Sequence, residues 1–384
     1  MNQDTALFLY YPNQNKFSIN ALIAALESDK NFDNLPLYLL ETEQEITNQI
    51  ETISNKHKKI IVGLSLCTTQ LPAAEELLKN LKKLSCANIL YLAGGPGPTG
   101  EPEKTLKIGF DAVAVGEGEE TLLELLEHIV ENKDYRNIHG IACFNDKQVY
   151  QCSSKRQSVD INKFPAQAAK NKIFGSIELT RGCPFFCKFC QTPYIFGAKM
   201  RHRSIENICR YLEIMKEQNL RDVRFIAPSA FSYGSYDGKR VNLPELKKLF
   251  ETIKKTIGPK NRIFIGSFPS EVRPEQITRE TLQLVLDYAS NDNIIIGAQT
   301  GSMKMLDLCH RGHTVKDIYN AVELTLNAGI KANVDFISGL PGESAEDKKE
   351  SEKVQRDLVK MGANIRPHTF MPLPQTPFYK QEVL

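Results

Sequence analysis

Short apolar runs of β type alternate with helical segments from one end of this 384-residue chain to the other. That alternation is typical of parallel sheets whose strands are connected by helices. A composition with 41% hydrophobic and 24% charged residues agrees with it, and excludes disorder, collagen and coiled coil as the main architecture. We therefore expect an α/β protein, and the length predicts two or three domains.

The first part of the chain contains five strand–helix units, which predict an open, doubly wound, Rossmann-like parallel sheet. Its predicted strands are residues 6–11, 37–40, 59–66, 88–93 and 112–115, and its helices 18–27, 42–54, 71–83, 103–107 and 118–131. Ligands of such sheets bind beyond the carboxyl ends of the strands. Small residues follow three of these strands and would let a large flat ligand approach the backbone, although glycines at such positions also serve as ordinary turns.

The second part contains about six further units, too few for a closed eight-stranded barrel, and predicts a partial, TIM-like (β/α)6 barrel. Its strands are predicted at residues 176–180, 222–227, 262–266, 293–298, 331–337 and 364–370. Its helices are predicted at 205–218, 243–257, 278–288, 315–327 and 345–360. Between the two parts, 138–144 and 148–151 predict a hairpin. The expected domains are 1–137, the hairpin and linker 138–172, and the barrel 173–384.

Three cysteines directly after the first strand of the barrel carry the strongest chemical signal. Cys183, Cys187 and Cys190 are spaced Cys-x3-Cys-x2-Cys on one loop, and soft sulfur ligands suit iron–sulfur clusters. Three ligands for four irons would leave one iron open. A structural zinc site is the alternative, but it needs a fourth ligand at short spacing, and the nearest candidates are His202 and Cys209.

Other charged and titratable residues near these cysteines are less specific. Residues 181–203 hold five basic residues and no acidic one, and these either offset the charge of a cluster or are solvated surface residues. His310 and His313 precede a predicted helix, and we expect them to be cap or surface residues rather than metal ligands.

The cysteine spacing, with Phe189 just before the last cysteine, resembles the radical S-adenosylmethionine (SAM) superfamily. The resemblance implies a [4Fe-4S] cluster on the three cysteines, whose open iron chelates SAM and whose electron cleaves it to a 5′-deoxyadenosyl radical. The stretches around Gln299 and Ile337 also look like those of radical SAM methylthiotransferases and their cobalamin-binding relatives. The resemblance implies SAM contacts at Phe189, Ser229, Gln299, Ile337 and Gly339, although Ser229 stands where the usual Gly-Gly-Glu motif is absent.

The first domain resembles the cobalamin-binding domains that precede the radical SAM domain in one branch of this superfamily. The implied cobalamin contacts are Ser65, Leu66, Gly94, Gly95, Gly116, Glu117 and Gly118. The Asp-x-His-x-x-Gly motif that supplies a histidine to cobalt is missing, because residues 10–15 read Tyr-Tyr-Pro-Asn-Gln-Asn. Cobalamin would therefore have no histidine ligand from this motif.

These resemblances imply a cobalamin-dependent radical SAM enzyme, a methyltransferase with methylcobalamin as methyl donor. The alternatives are a methylthiotransferase acting on tRNA or protein, and a non-catalytic cobalamin or iron–sulfur redox sensor. No residue is assigned as a proton donor or acceptor. We expect a one-electron reductant such as flavodoxin or ferredoxin as partner. With a formal charge of +2 and no long apolar run, we expect no nucleic-acid partner, no membrane span and a cytoplasmic location.

Overall fold

Two units of α/β structure make up the chain. A computed structural model describes residues 4–84, 86, 88–154 and 156–381, and these divide into Met1–Phe174 and Gly175–Leu384. Within the described ranges, no helix combines the length and the apolar character that crossing a bilayer requires.

The first unit is built on a seven-stranded sheet in the order β2-β1-β3-β4-β5-β6-β7. Its strands are β1 Thr5–Tyr10, β2 Leu37–Leu40, β3 Lys59–Ser65, β4 Ile89–Gly94, β5 Ala112–Ala114, β6 Ile141–Phe144 and β7 Tyr150–Cys152. The first five strands are parallel. Their order changes direction between β1 and β3, and such a switch point is where open α/β sheets bind ligands.

Helices cover both faces of this sheet. They are α1 Lys16–Ser28, α2 Glu43–Ile53, α3 Leu71–Lys82, α4 Pro96–Gly100, α5 Pro102–Lys107 and α6 Glu119–Val130. Side chains alternate across a strand, so Phe8 of β1 packs in the same core as Ile46 of α2. Leu7 of the same strand packs on the opposite face with Ile19 of α1. The unit is thus doubly wound, and the predicted fold class is confirmed.

The predicted hairpin is present, but it belongs to the first sheet. Strand β6 pairs antiparallel with β5, and β7 pairs antiparallel with β6. The hairpin therefore extends the sheet by two strands, and the first unit continues to Phe174. The division at residues 137 and 172 stays a prediction.

In the second unit, six parallel strands follow one another in chain order. They are β8 Ile177–Glu178, β11 Asp222–Ile226, β12 Arg262–Phe264, β13 Asn293–Gln299, β14 Lys331–Ser338 and β15 Asn364–Thr369. They form two three-stranded sheets, β8-β11-β12 and β13-β14-β15. A parallel bridge between Val272 and Ile296, and a hydrogen bond from Ile295 N to Gly266 O of 2.8 Å, connect the two sheets. The result is the predicted partial barrel.

The expected strand at 176–180 is divided into β8 and β9, and β9 Thr180–Arg181 pairs antiparallel with β10 Arg201–His202. The helices of the unit are α7 Thr192–Phe196, α8 Ile205–Glu217, α9 Leu243–Ile257, α10 Arg279–Tyr288, α11 Met303–Leu308, α12 Val315–Asn327 and α13 Ala345–Met361. Helices α7 and α11 are short and were not predicted. Sites in such barrels lie at the carboxyl ends of the strands.

A buried carboxylate, Asp347 at the start of α13, holds the loop that follows β13. It accepts hydrogen bonds of 2.7 Å from Ser302 Oγ and Lys304 Nζ, and it also accepts from the backbone N and side-chain Oγ of Ser344. Burial acts to raise the pKa of Asp347, but these donors outweigh it and hold the pKa well below its usual range. Because the folded-state pKa is lowered, this carboxylate stabilises the fold above the unfolded pKa of about 3.9.

We expect Asp347→Asn to lower the free energy of unfolding at pH 7 by about 1.5–3 kcal/mol, the usual range for a hydrogen-bonded buried charge. The difference from the parent should shrink as the pH falls below ~4, because the Asp347 carboxyl of the unfolded parent becomes protonated there while the folded parent still holds it ionised. Urea unfolding at a series of pH values measures both effects. Asp317→Asn is the matched control, since Asp317 caps α12 and accepts from Thr314 N and Oγ1. An equal loss in the control would contradict the explanation.

Candidate cluster and cofactor sites

The cysteine loop, residues 182–200, connects β9 to β10 and carries the three cysteines. The antiparallel pairing of Arg181 with Arg201 closes the base of the loop. Inside it, Cys183 N donates to Gly197 O over 3.0 Å, and Cys190 N donates to Cys187 O over 3.0 Å. These backbone bonds give the loop one conformation that presents all three cysteines on the same side of the barrel.

The three thiols line one cavity of about 320 Å³ in the second unit. Cys187 is buried, and Cys183 and Cys190 are half-buried. Burial raises the pKa of Cys183 to about 11, and it also raises the pKa of Cys190. Binding a metal replaces these protons, because the thiolate is the ligand. Within the described part of the chain, no three His, Cys, Asp or Glu side chains converge on the position of a single metal ion.

Two buried arginines from distant parts of the chain lie beside the thiols. Arg311 is only 4% exposed, and its Nη1 donates to Cys187 Sγ over 3.5 Å. Arg273 is 3% exposed, and its guanidinium carbon lies 3.5 Å from the centre of the Phe185 ring. Both arginines line the cavity. Buried positive charge of this kind favours an anionic group at the thiols.

The nearby basic residues of the cysteine loop itself have other partners. Arg181 forms a bidentate ion pair with Glu178, with donor–acceptor distances of 2.8 and 2.7 Å. Arg203 donates to Glu178 O over 3.1 Å and is also buried. Because both side chains are buried, the alternative that they are solvated surface residues is wrong for these two, and their offsetting the charge of a cluster stays a prediction. Arg273 and Arg311 add positive charge next to the thiols.

The prediction for His313 is also wrong, because the side chain is neither a cap nor on the surface. His313 is 2% exposed, and its Nε2 donates to Ala298 O over 3.2 Å. Burial lowers the pKa of His313 to about 2, with Arg311 and Arg273 contributing, so the ring is neutral. The side chain therefore supports the carboxyl end of β13. His310, in contrast, is exposed as predicted.

Two carboxylates occupy the wall of the cavity formed by β13, β14 and the loop after β12. Glu271 lies against Gly297 and interacts with Gln299, and burial raises the pKa of Glu271. Asp335 of β14 is 9% exposed, and its Oδ1 lies 3.4 Å from both Arg366 Nε and His368 Nε2. The cavity is therefore cationic near the thiols and carries carboxylates elsewhere, which suits a zwitterionic ligand.

The sequence-predicted SAM contacts are only partly brought together. Phe189 and Ser229 line the cavity with the cysteines. Gln299 does not line it, but its side chain interacts with Glu271, which does. Ile337 packs near Phe189 in a small apolar cluster, and Gly339 N donates to Glu343 Oε2 over 2.8 Å. Sequence reasoning did not single out Glu271, Arg273, Asp335 and Arg366, which also line the cavity, although Asp335 lies in the family-like stretch around Ile337.

In the first unit, the predicted cobalamin contacts lie at or just beyond the carboxyl ends of β3, β4 and β5. Ser65 Oγ donates to Ser18 Oγ over 2.8 Å, and Leu66 N donates to Gly94 O over 2.8 Å. Gly95 has φ +92°, and a Cβ there would lie 2.8 Å from Leu66 N and O, so only glycine fits this close approach. Gly116, Glu117 and Gly118 lead into α6.

The switch point of this sheet carries polar atoms that lack partners. Asn15 Nδ2, in the segment after β1, and Thr68 Oγ1, after β3, are buried and make no hydrogen bond. Gln70 Nε2 donates to Asn15 Oδ1 over 3.0 Å, which fixes this amide. Unsatisfied buried donors are uncommon and call for a ligand or water. The edge therefore offers two polar groups to a ligand.

Comparison with protein families matches each unit separately. Residues 177–353 match the family model described as the Radical SAM superfamily. Residues 15–126 match the model described as the B12 binding domain. One chain therefore carries a radical SAM domain and a B12-binding domain. This confirms the resemblance found in the sequence, and the cofactors that the two domains imply are a [4Fe-4S] cluster, SAM and cobalamin.

The curated relatives of this chain are distant in sequence. An uncharacterized protein of Methanopyrus kandleri is 25% identical over 83% of this chain and 66% of its own length. An uncharacterized methyltransferase of Pyrococcus horikoshii is 24% identical over 81% of this chain and 67% of its own length. A tRNA-2-methylthio-N(6)-dimethylallyladenosine synthase of Petrotoga mobilis is 28% identical over 71% of this chain and 61% of its own length. The chain spans roughly two thirds of the length of each.

Solved structures of two B12-binding radical SAM enzymes share the fold. The methyltransferase TsrM of Kitasatospora setae, with cobalamin and a [4Fe-4S] cluster bound, has a TM-score of 0.74 at 15% identity, covering 99% of this chain and 74% of TsrM. The enzyme OxsB, with aqua-cobalamin and SAM bound, has a TM-score of 0.71 at 16% identity, covering 91% of this chain and 51% of OxsB. At such identities the likeness establishes the fold of both domains.

Proposed function

We propose that the chain is a cobalamin-dependent radical SAM enzyme, a methyltransferase. The observation that carries this proposal is the pairing of a three-thiol cavity in a partial barrel with a B12-binding sheet in one chain. When bound, the cluster and SAM supply a 5′-deoxyadenosyl radical, and cobalamin supplies a transferable methyl group. The cofactors carry the chemistry, and the protein binds and orients them and excludes water.

Cys183, Cys187 and Cys190 would hold the cluster. The fit rests on the soft donor set and on the size of the cavity that the thiols share. Arg311 and Arg273 offset the negative charge of three thiolates from inside the protein, where electrostatic interactions are stronger than in water. Phe185 and Phe189 line the same cavity and limit the access of water to it.

SAM would lie in the same cavity. Glu271 and Asp335 offer carboxylates to its ammonium or ribose hydroxyl groups, while Arg366 at the wall offers a cation. Ser229 also lines the cavity, but its hydroxyl already donates to Gln276 Oε1 over 2.6 Å, so its contact with SAM is the weakest of those proposed. Phe189, Gln299, Ile337 and Gly339 complete the proposed SAM contacts.

Cobalamin would bind at the carboxyl edge of the first sheet. Gly94, Gly95 and Gly116 place no side chain at this edge, and Asn15 Nδ2 and Thr68 Oγ1, which make no hydrogen bond, supply donors. Ser65, Leu66, Glu117 and Gly118 are the other proposed contacts. Because residues 10–15 contain no histidine, this loop offers no imidazole to cobalt.

Anaerobic reconstitution followed by quantitation of iron, sulfide and corrin tests the proposal. We expect roughly four irons per chain, stoichiometric corrin, and 5′-deoxyadenosine when SAM and a low-potential reductant are added. Bound cofactors with no deoxyadenosine and no methyl transfer would instead favour the redox sensor. A chain that binds zinc in place of iron would overturn the assignment.

A methylthiotransferase is the second candidate, because a putative methylthiotransferase and several tRNA-2-methylthio-N(6)-dimethylallyladenosine synthases are similar over much of the chain. The resemblance to methylthiotransferases implies a second iron–sulfur cluster in the first domain in place of corrin. Roughly eight irons per chain and no corrin would favour them. The B12-binding match at residues 15–126 favours the cobalamin enzyme.

A one-electron reductant such as flavodoxin or ferredoxin is the proposed protein partner, because the cluster must be reduced before each radical is formed. All nine cysteines are free, and a low-potential cluster persists only where thiols stay reduced. We therefore propose the cytoplasm as the location. The methyl acceptor is proposed only as an unactivated carbon or phosphorus centre.

A further inference from the structure

We propose that Arg311 raises the reduction potential of the cluster through its hydrogen bond to Cys187 Sγ. This inference rests on the proposed function, since it requires a cluster on the three cysteines. Arg311 would change the reduction potential of the cluster without binding iron itself.

The hydrogen bonds of Arg311 fix its position. One branch of the guanidinium, Nη1, lies 3.5 Å from Cys187 Sγ, and the other, Nη2, donates to Gly297 O over 2.6 Å. The backbone of the residue is held as well, because Arg311 N donates to Leu306 O over 2.9 Å and Arg273 Nη2 donates to Arg311 O. The donor that faces the sulfur is therefore preorganised.

The fork shape of the guanidinium is what makes both contacts possible. Arginine presents several N–H donors in a rigid plane, whereas lysine presents a single ammonium on a flexible stem. The planar guanidinium group of Arg311 contacts both Cys187 Sγ in the cysteine loop and Gly297 O near the carboxyl end of β13. A lysine at this position would keep the charge but could not keep both bonds in the same geometry.

Reduction adds one electron to the cluster and increases the negative charge on its sulfur ligands. A charged N–H donor stabilises the more negative state more strongly, and hydrogen bonds to sulfur are among the factors that set cluster potentials. Arg311 is 4% exposed, so water screens this interaction poorly. The potential should therefore be higher with Arg311 than without it.

Arg273 provides the matched control. It is an equally buried cation in the same cavity, but its guanidinium stacks on Phe185 and pairs with Glu275. Its hydrogen bonds go to Glu275 Oε1 and Arg311 O and not to a cysteine sulfur. Arg273→Met removes a buried charge and the hydrogen bond to Arg311 O, but Arg311 N still donates to Leu306 O and its Nη2 to Gly297 O, so we expect the N–H···S bond of Arg311 to remain.

The test is an EPR-monitored redox titration of reconstituted protein in the absence of SAM, with iron and sulfide quantified in each sample. For Arg311→Met we expect the ratio of reduced to oxidised cluster at a fixed potential to fall by about tenfold, a shift of ~59 mV to more negative potential for a one-electron couple. Arg311→Lys should lie between the parent and Arg311→Met, and it keeps the test possible if the methionine variant does not fold. Arg273→Met should shift the potential less than Arg311→Met.

The outcomes separate this inference from the proposed function. A parent protein that takes up no cluster overturns the proposed function and this inference with it. A parent with a cluster, whose potential is the same in Arg311→Met and Arg311→Lys, overturns the inference alone. An equal shift in Arg273→Met also overturns it, because the effect would then come from buried charge in general.

Discussion

Replacing Cys187 by alanine is expected to abolish the cluster and all cleavage of SAM. Cys187 is the buried member of the three thiols and the one that accepts a hydrogen bond from Arg311. Its removal leaves two cysteine ligands and a buried guanidinium that has lost its sulfur acceptor. Removing an outer partner of a metal ligand already costs about 10- to 100-fold in affinity or activity, so loss of the ligand itself should cost more.

Iron and sulfide content, the visible absorbance of the cluster and the yield of 5′-deoxyadenosine measure this result. Cys209→Ala is the control, because Cys209 lies on α8 and does not line the cavity. It should keep roughly four irons and the activity of the parent. If Cys187→Ala retained a full cluster, or if Cys209→Ala lost it, the assignment of the ligands would have to be abandoned.

Much of the fold follows from local sequence pattern. The strand Leu37–Leu40 and the helices Leu243–Ile257 and Val315–Asn327 have the bounds that the sequence predicts. Their ends carry local signals, such as Asn242 at the start of α9 and Gly258 just after its end. Period and caps are properties of neighbouring residues, so they can be recognised in the sequence alone.

The local pattern does not predict the short helices α7 and α11. Each has only five or six residues, too few for a helical period to emerge. The hairpin of β6 and β7 was recognised, but its place at the edge of the first sheet depends on pairing with β5. Pairing between distant segments is set by tertiary packing, which a local pattern does not contain.

Local sequence pattern likewise predicts some residues of the candidate site and not others. The three cysteines are close in sequence and form a motif, so their shared cavity was expected. Arg273 and Arg311 come to that cavity from loops about 90 and 120 residues further along the chain. Nothing in their immediate neighbours shows that they are buried. The sequence predicts His313 to be a cap or surface residue, whereas the fold buries it, with its Nε2 donating to Ala298 O of β13.

Gly182, directly before the first cluster cysteine, should be the most sensitive glycine of the cysteine loop. It has φ +91°, a conformation that other residues adopt only under strain, and a Cβ there would lie 2.4 Å from Lys199 O. Lys199 precedes β10, whose pairing with β9 closes the loop. Any side chain at 182 must therefore separate the two strands or displace Cys183.

We expect Gly182→Ala to lower the free energy of unfolding by about 3 kcal/mol or more, from backbone strain and overpacking together, and to prevent full assembly of the cluster. Gly197→Ala is the matched control, because Gly197 has φ +82° in the same loop but a Cβ there meets no atom within 4 Å. It should cost about 1–3 kcal/mol, the penalty of a backbone conformation with positive φ and extended ψ, and keep its iron. Denaturant unfolding and iron content after reconstitution measure both variants. Equal losses of stability and of iron in the two variants would show that the contact with Lys199 O is not what makes residue 182 sensitive.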